Sequence, residues 1–316
     1  MLRQLGVALS PPGSGLSPAL LRDLVAATSD SGFDSLWTLD NPLADQAEPL
    51  TFLANVAARS ESLVVGTAAI VAPVRDPVLL AKQLATLDRL TGGHRVVVGL
   101  AIGRRPDEYA TIGHDFHRRG RLLDDVVAVL RQCWKGAPLD VTGAAQSWKS
   151  SGAVGVAPVT PGGPPLLLGG IVEPALRRAV EQGDGYLGSA TAGPERAVEA
   201  LTRVEELLQE TDRGTNTFRR VTNVFVQTAS SREAALERAT AVFTDRHHGQ
   251  APPWDPADVV VGGDAKEIAD GVSVLVSAGY DGVTLVPVDG SVEQVVALRP
   301  AVEAVRSAVP SAACVH

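Results

Sequence analysis

Aromatic side chains are scarce in this chain. Phe, Trp and Tyr make up only 4% of its 316 residues, and there is one Met. A core must therefore be built from aliphatic residues, and the hydrophobic share of 45% is ample for one. Cysteine is nearly absent. Cys133 and Cys314 are the two present, neither in a CxxC or metal-type spacing, which excludes a disulfide framework. Cys133 falls inside an apolar helical pattern and reads as core packing. Positive charge is in deficit: 28 Lys and Arg against 36 Asp and Glu give a formal charge of −8. That balance argues against a nucleic-acid partner, and a polyanionic ligand would have to be held by a few local donors. The densest basic cluster, Arg118, Arg119 and Arg121, reads equally as the solvated first turn of a helix. Long apolar runs are missing too, none approaching the roughly 20 residues of a membrane span. The opening MLRQLGVALS enters a strand at once, without the two regions of a secretory signal. A soluble cytoplasmic protein is the expectation, without membrane or nucleic-acid partners.

What is present is alternation. Short β-rich runs occur at Leu5–Leu9, Ser35–Leu39, Leu63–Ile70, Arg95–Ala101, Pro165–Gly169, Gly185–Gly188, Val221–Gln227 and Gly282–Val286. Runs such as LVVGTAAI and RVVVGLA are apolar almost throughout, as suits parallel strands buried on both faces. Helical patterns separate them: Pro18–Ser31, Pro49–Ser60, Pro77–Leu90, Arg121–Trp134, Pro174–Gln182, Pro194–Gln209, Arg232–Thr244 and Val292–Ser307. Several begin with Pro, whose missing N–H costs nothing in a first turn. Eight strand–helix units predict an α/β fold, a (β/α)8 TIM barrel with insertions, as one domain over 1–316. The insertions fall at 137–163 and 245–263, with another helix, Ala265–Ala278, before the last strand. An open doubly wound sheet is the alternative, but its glycine fingerprint is missing from the first strand–helix turn.

Barrel enzymes work at the C-terminal ends of their strands, so the candidates lie there. Asp40 and Asn41 end the second strand ahead of Pro42. They read either as ligand contacts or as a turn starter. Gly169 and Gly170 let backbone approach a ligand, and the helix N-terminus after them offers free N–H groups to an anion. A tight strand–helix turn is the alternative. Gly99, Gly103, Arg104 and Arg105 admit a similar reading. His247 and His248 lack further ligands at matching spacing, so no metal is expected; a lid role for their loop is the better option. GxSxG, Walker, HExxH and Cys/His zinc patterns are all missing.

One stretch, GTAAIVAPVRDP over 66–77, sets small Ala68 and Ala69 where an apolar strand would favour Val or Ile. In order, GFDSLWTLDN, the run from EPLTFLANVA to RVVVGLAIG, PDEYATIG, PPLLLGG, ALRRAVEQGDGYLGS and GYDGVTLVP resemble the bacterial-luciferase-like oxidoreductases. The resemblance is strongest over 32–136 and weak over 137–163 and 211–263. It implies a barrel that binds reduced FMN or the deazaflavin coenzyme F420 at the strand ends. It also implies a non-proline cis peptide after the third strand, here at Ala68–Ala69, supporting the flavin ring with Thr67 as a neighbour. The alternative is ordinary alanines in a tight barrel. Ala101, Gly103, Gly169, Gly170 and Ile171 become cofactor contacts by the same resemblance, the last three at the phosphate.

The chain also departs from the family. Asn41 stands where many relatives have His, and Arg75-Asp76-Pro77 replaces Arg-His-Pro. Ile102 stands where luciferase has a phosphate-holding Arg. The resemblance implies a flavin-dependent monooxygenase using reduced FMN and O2 on a small hydrophobic or aromatic substrate. It would be a homodimer served by a separate flavin reductase, with Asp40 and Asn41 as the polar catalytic candidates. The alternatives are F420-dependent hydride transfer and a non-catalytic flavin-binding protein.

Overall fold

The computed structural model describes residues 2–144, 146–211, 217–247 and 249–308. Eight parallel strands close into a barrel: β1 (Gln4–Leu9), β2 (Ser35–Thr38), β3 (Val64–Val71), β4 (Val96–Ala101), β5 (Leu166–Gly169), β6 (Gly185–Gly188), β7 (Arg219–Thr228) and β8 (Gly282–Pro287). Each pairs with the next, and β8 returns to β1. All eight predicted strands are therefore present, within a few residues of their expected ends.

The surrounding helices include α1 (Pro18–Asp30), α2 (Pro49–Ala57), α3 (Pro77–Leu90), α4 (Pro106–Ile112), α5 (Arg119–Trp134), α6 (Glu173–Gln182), α7 (Gly193–Glu210) and α8 (Arg232–Arg246). Of these, α1, α2, α3 and α8 begin with a side-chain cap, from Ser17, Glu48, Asp76 and Ser231. Asp76, where the sequence leaves the family pattern, caps α3 by accepting from Leu79 N at 2.8 Å. Cys133 is buried in α5, as its apolar pattern predicts. None of the described helices is long and apolar enough to cross a membrane.

Four features differ from the sequence reading, the first being α4, which lies outside the eight predicted helical patterns. The insertion at 137–163 holds an antiparallel ribbon, Pro138–Thr142 against Ser147–Ala153. Its residues are largely exposed, so they carry little hydrophobic signal. The second insertion contributes the short helix α9 (Pro256–Val259) and a strand, Val260–Gly263, which pairs with the upper half of β7. After α10 (Ala265–Ala278), the helix expected over Val292–Ser307 is two: α11 (Val292–Ala297) and α12 (Arg299–Ala308). Pro300 explains the break, because it supplies no N–H to continue the α11 hydrogen-bond ladder and stands instead in the first turn of α12, where none is needed.

Side chains alternate across the barrel wall, as strands require. Val65, Val98, Leu168 and Leu285 face the helices, while Ala8, Trp37, Val97, Leu167, Leu187, Val221 and Val286 share the interior cluster. Trp37 is completely buried there, its indole N–H donating to Ser35 Oγ at 2.8 Å. It fits because its neighbours have no side chain. A Cβ on Gly66 would lie 2.3 Å from the Trp37 ring, and one on Gly6 would lie 2.9 Å from its Nε1.

This packing predicts that Gly66→Ala destabilises the fold by about 1–3 kcal/mol through overpacking. Urea unfolding should show a lower midpoint with an unchanged slope. An unchanged midpoint would mean that Trp37 is free to move aside.

Candidate active site

The mouth of the barrel is shaped first by a register shift. Thr67 pairs with Val98, but the next pair is Ile70 with Leu100. Ala68 and Ala69 thus stand opposite the single residue Gly99, a β-bulge that re-aims the chain. The Ala68–Ala69 peptide bond is cis. Gly99 is what allows the close approach: a Cβ there would lie 2.2 Å from Thr67 O. Thr67 is buried, and its hydroxyl donates to Gly99 O at 2.9 Å, tying the bulge to β4. Both alanines pack on the interior cluster. The period-two pattern carries Ala101 and Gly169 to the same inner face of β4 and β5. The inner rim from β3 to β5 is therefore made of Ala and Gly, a shallow bed free of bulky side chains.

Asp40 sits behind that bed. It is 9% exposed, and its Oδ2 accepts from Val71 N at 3.0 Å and from Arg75 Nη2 at 3.0 Å. Burial pushes the Asp40 carboxyl above the usual carboxylate range, and the Arg75 guanidinium opposes that rise. Arg75 also reaches Glu48 at 2.9 Å. The carboxylate that ends β2 thus holds the β3 backbone just past the bulge. Asn41 is exposed, and its amide donates to Gln46 Oε1 at 2.7 Å. A second acid near the rim, Glu108, escaped the sequence reading. It is 2% exposed, with its carboxylate 3.7 Å from Arg105, and burial raises its pKa. Its place in the first turn of a short helix gave no sign of that burial.

Gly169, Gly170 and Ile171 are half-buried and lead into α6. No side chain caps that helix at Val172; Pro174 has no N–H and Ala175 N donates to Val172 O at 2.8 Å, so within the first turn the Glu173 N–H is the one left for an anion among the described residues. Gly170 has φ +146°, and a Cβ on it would lie 2.5 Å from Ala175 Cβ. Glu173 stands beside this terminus and is held by Arg177 at 2.7 Å and Arg203 at 3.0 Å. Gly103 is half-buried with φ +64°, in the turn that follows Ala101.

The second insertion folds over the opposite wall. Trp254 meets Phe243 edge-on at 6.1 Å and His247 at 5.5 Å, and Phe243 meets Phe225, inside the barrel on β7, at 5.2 Å. Arg104, from the turn after β4, lies 4.9 Å from the centre of the Trp254 ring. The loop thus contacts residues from two sides of the mouth. His248 lies outside the described residues. His247 Nδ1 is 2.8 Å from Phe243 O. Among the described residues there is no group of three His, Cys, Asp or Glu that could hold a metal.

Comparison with known proteins places this geometry in context. The family model described as luciferase-like monooxygenase matches residues 4–282. The 4-hydroxyprotoasukamycin monooxygenase of Streptomyces nodosus subsp. asukaensis is 30% identical over 112 residues, 34% of this chain and 30% of that protein. The chain spans about a third to a half of the length of the curated relatives it matches. Among solved structures, the coenzyme F420-dependent tetrahydromethanopterin reductase from Methanopyrus kandleri superposes with a TM-score of 0.76 at 18% identity, covering 95% of this chain and 98% of that one. The oxygenating constituent of 3,6-diketocamphane monooxygenase from Pseudomonas putida, in complex with FMN, gives a TM-score of 0.75 at 14% identity, with coverages of 98% and 99%. At such identities the likeness is one of fold.

The Asp40–Arg75 pair is open to direct test. Arg75→Ala should cost about 2–3 kcal/mol at pH 7, since it strands a buried carboxylate, whereas Asp40→Asn should cost only about 1 kcal/mol. The folded-state pKa of Asp40 lies above its unfolded value, so its neutral form favours the fold fully below the ordinary aspartate value of 3.8, and that contribution is lost as pH rises through the folded pKa. The Arg75→Ala penalty should therefore shrink as pH falls from 7 toward 4. Urea titrations at the two pH values check both statements, and a penalty that grows on acidification would contradict them.

Proposed function

We propose a flavin-dependent oxygenation for this chain, which belongs to the luciferase-like monooxygenase family. In this reading it takes reduced FMN from a separate reductase, and its substrate is a small hydrophobic or aromatic molecule. The observation that carries the reading is the bed at the barrel mouth: two alanines of a bulge over Gly99, continued by Ala101 and Gly169. A planar ring system can lie against such a surface. The phosphate end also fits, because α6 begins without a side-chain cap beside half-buried Gly169, Gly170 and Ile171. Arg177 and Arg203 stand close by through Glu173, so a bound phosphate would share cations that are already in place.

Reduced FMN supplies the reaction with dioxygen when bound. The chain's own residues bind, orient and exclude water. Ala68 and Ala69 support the ring. Gly103 lets the turn after β4 pass close to it. Asp40 acts as a positioning residue: it accepts the Val71 N–H directly, just past the bulge, and is itself held by Arg75. Phe225, Phe243 and Trp254 form an apolar wall facing the bed, where a hydrophobic substrate would sit. Hydride transfer with F420 is the second reading, and the fold also occurs with that coenzyme. The proton donor it would want beside the ring is missing at Asn41, whose amide is turned to Gln46.

Titration with FMN, reduced FMN and F420, followed by absorbance and fluorescence, tests the cofactor. Reduced FMN should bind; binding of F420 without reduced FMN would overturn the proposal. Ala69→Trp should weaken reduced-FMN binding by about a hundredfold or more by filling the bed, with an unchanged circular dichroism spectrum. Undiminished affinity would refute the placement of the ring. Trp254→Ala should raise the hydrogen peroxide released per reduced FMN consumed, because water reaches the site more freely. An unchanged yield would mean that Trp254 does not shield the reaction.

A further inference from the structure

A second cavity lies outside the barrel mouth. It occupies about 500 Å³ between the turn after β3, the start of α5 and the ribbon of the first insertion. None of the bed or roof residues, such as Ala68, Gly169 or Trp254, lines it. Arg75 stands between the two spaces, lining the cavity while its guanidinium binds Asp40. The volume is in the range of small-molecule sites.

The lining has an uneven stock of hydrogen-bonding groups. Its carboxylates are engaged: Asp76 accepts from Leu79 N, Asp115 from His117 N, and both oxygens of Asp125 from Ala144 N. Arg75 spends its fork on Asp40 and Glu48. His114 Nδ1 is 2.7 Å from Pro73 O; a carbonyl only accepts, so that nitrogen donates. Two donors remain. Trp148 lines the cavity with a buried indole N–H that has no partner among the described residues. Arg118 uses one terminal nitrogen on Ala144 O, and the rest of its five-donor fork has no partner among the described residues. Pro73, Val74, Pro77 and Leu122 supply apolar wall around them.

We propose that this cavity is an accessory binding site for a small organic anion with a flat apolar body, of the aromatic carboxylate class. Its carboxylate would pair with the Arg118 fork, and its ring would lie among Trp148, Pro73 and Pro77. The engaged carboxylates of the lining cap backbone N–H groups, which moderates their repulsion of an anion. The site stands on this geometry alone and does not depend on the cofactor that the mouth takes.

The test uses the full chain with 2-naphthoate and its uncharged analogue 2-naphthylmethanol, followed by calorimetry. Naphthoate should bind about tenfold or more tightly than the alcohol, and Arg118→Gln should remove that preference. Trp148→Phe keeps an aromatic wall but loses the N–H and part of the stacking area, and should weaken naphthoate several-fold. Saturating FMN should leave naphthoate binding unchanged, and Arg118→Gln should leave FMN binding unchanged. Displacement by FMN would put the probe in the barrel mouth and overturn the proposal. So would equal binding of the alcohol, indifference to both substitutions, or no binding at all. Arg118 also touches the ribbon, so Trp148→Phe keeps the test decisive if Arg118→Gln loosens that contact.

Discussion

Two residues of β3 face one residue of β4, and the site depends on that mismatch. It is possible only because Gly99 has no side chain where Thr67 O presses against the neighbouring strand. The extra residue turns Ala68 and Ala69 toward the lumen instead of letting one of them face the helices. Around this point the polar groups are arranged as ties. Thr67 holds Gly99 O from below, and Asp40 holds Val71 N from the side. Asp40 is itself held by Arg75, at the cost of burying its charge. A reading of Asp40 as a free catalytic carboxylate has to contend with this commitment, because its Oδ2 already serves two elements.

The few aromatics are spent where this design needs bulk. Trp37 fills the barrel below the bed, in space left by Gly6 and Gly66. Phe225, Phe243 and Trp254 line the far wall. Between floor and wall the rim of β3 to β5 carries Ala and Gly. Low aromatic content is thus consistent with an uncluttered inner rim, since aliphatic side chains close the outer shell between strands and helices. The strand Val260–Gly263 belongs to the same arrangement. β7 pairs with β6 through Thr222 and with that strand from Phe225 onward. Asn223, at the changeover, donates its amide to Gly188 O at 3.0 Å. The second insertion is thereby fixed to the barrel wall at its C-terminal end, after the Trp254 loop has crossed the mouth.

The barrel was legible in the sequence because its strands are buried on both faces and its helices open with Pro, Ser or Asp. Each of those signals is local. Ala68–Ala69 was legible for a different reason: small residues in an apolar strand need an explanation, and the family resemblance offered one. What stayed hidden depends on distant partners. The ribbon over 138–153 is exposed and has no apolar period to detect. Glu108 looks like an ordinary first-turn acid until its burial is seen. The Asp40–Arg75 tie joins residues 35 positions apart, and the Arg104–Trp254 contact joins residues still more distant in sequence. Pro300 was a visible breaker inside the last helical pattern, and the apolar periodicity on both sides of it masked the break.

The Arg75-Asp76-Pro77 triplet shows how a departure from a family pattern can be conservative in effect. Asp76 accepts the Leu79 N–H and starts α3, a task that its short carboxylate performs well. Pro77 follows at the first helical position, where its fixed φ suits the turn. Together they hold the backbone on which Arg75 stands. Arg75 then divides its fork between Asp40 and Glu48, so it is fixed at both ends and cannot swing into either neighbouring space. The side chain between Asp40 and the outer cavity is therefore an arginine committed to two carboxylates.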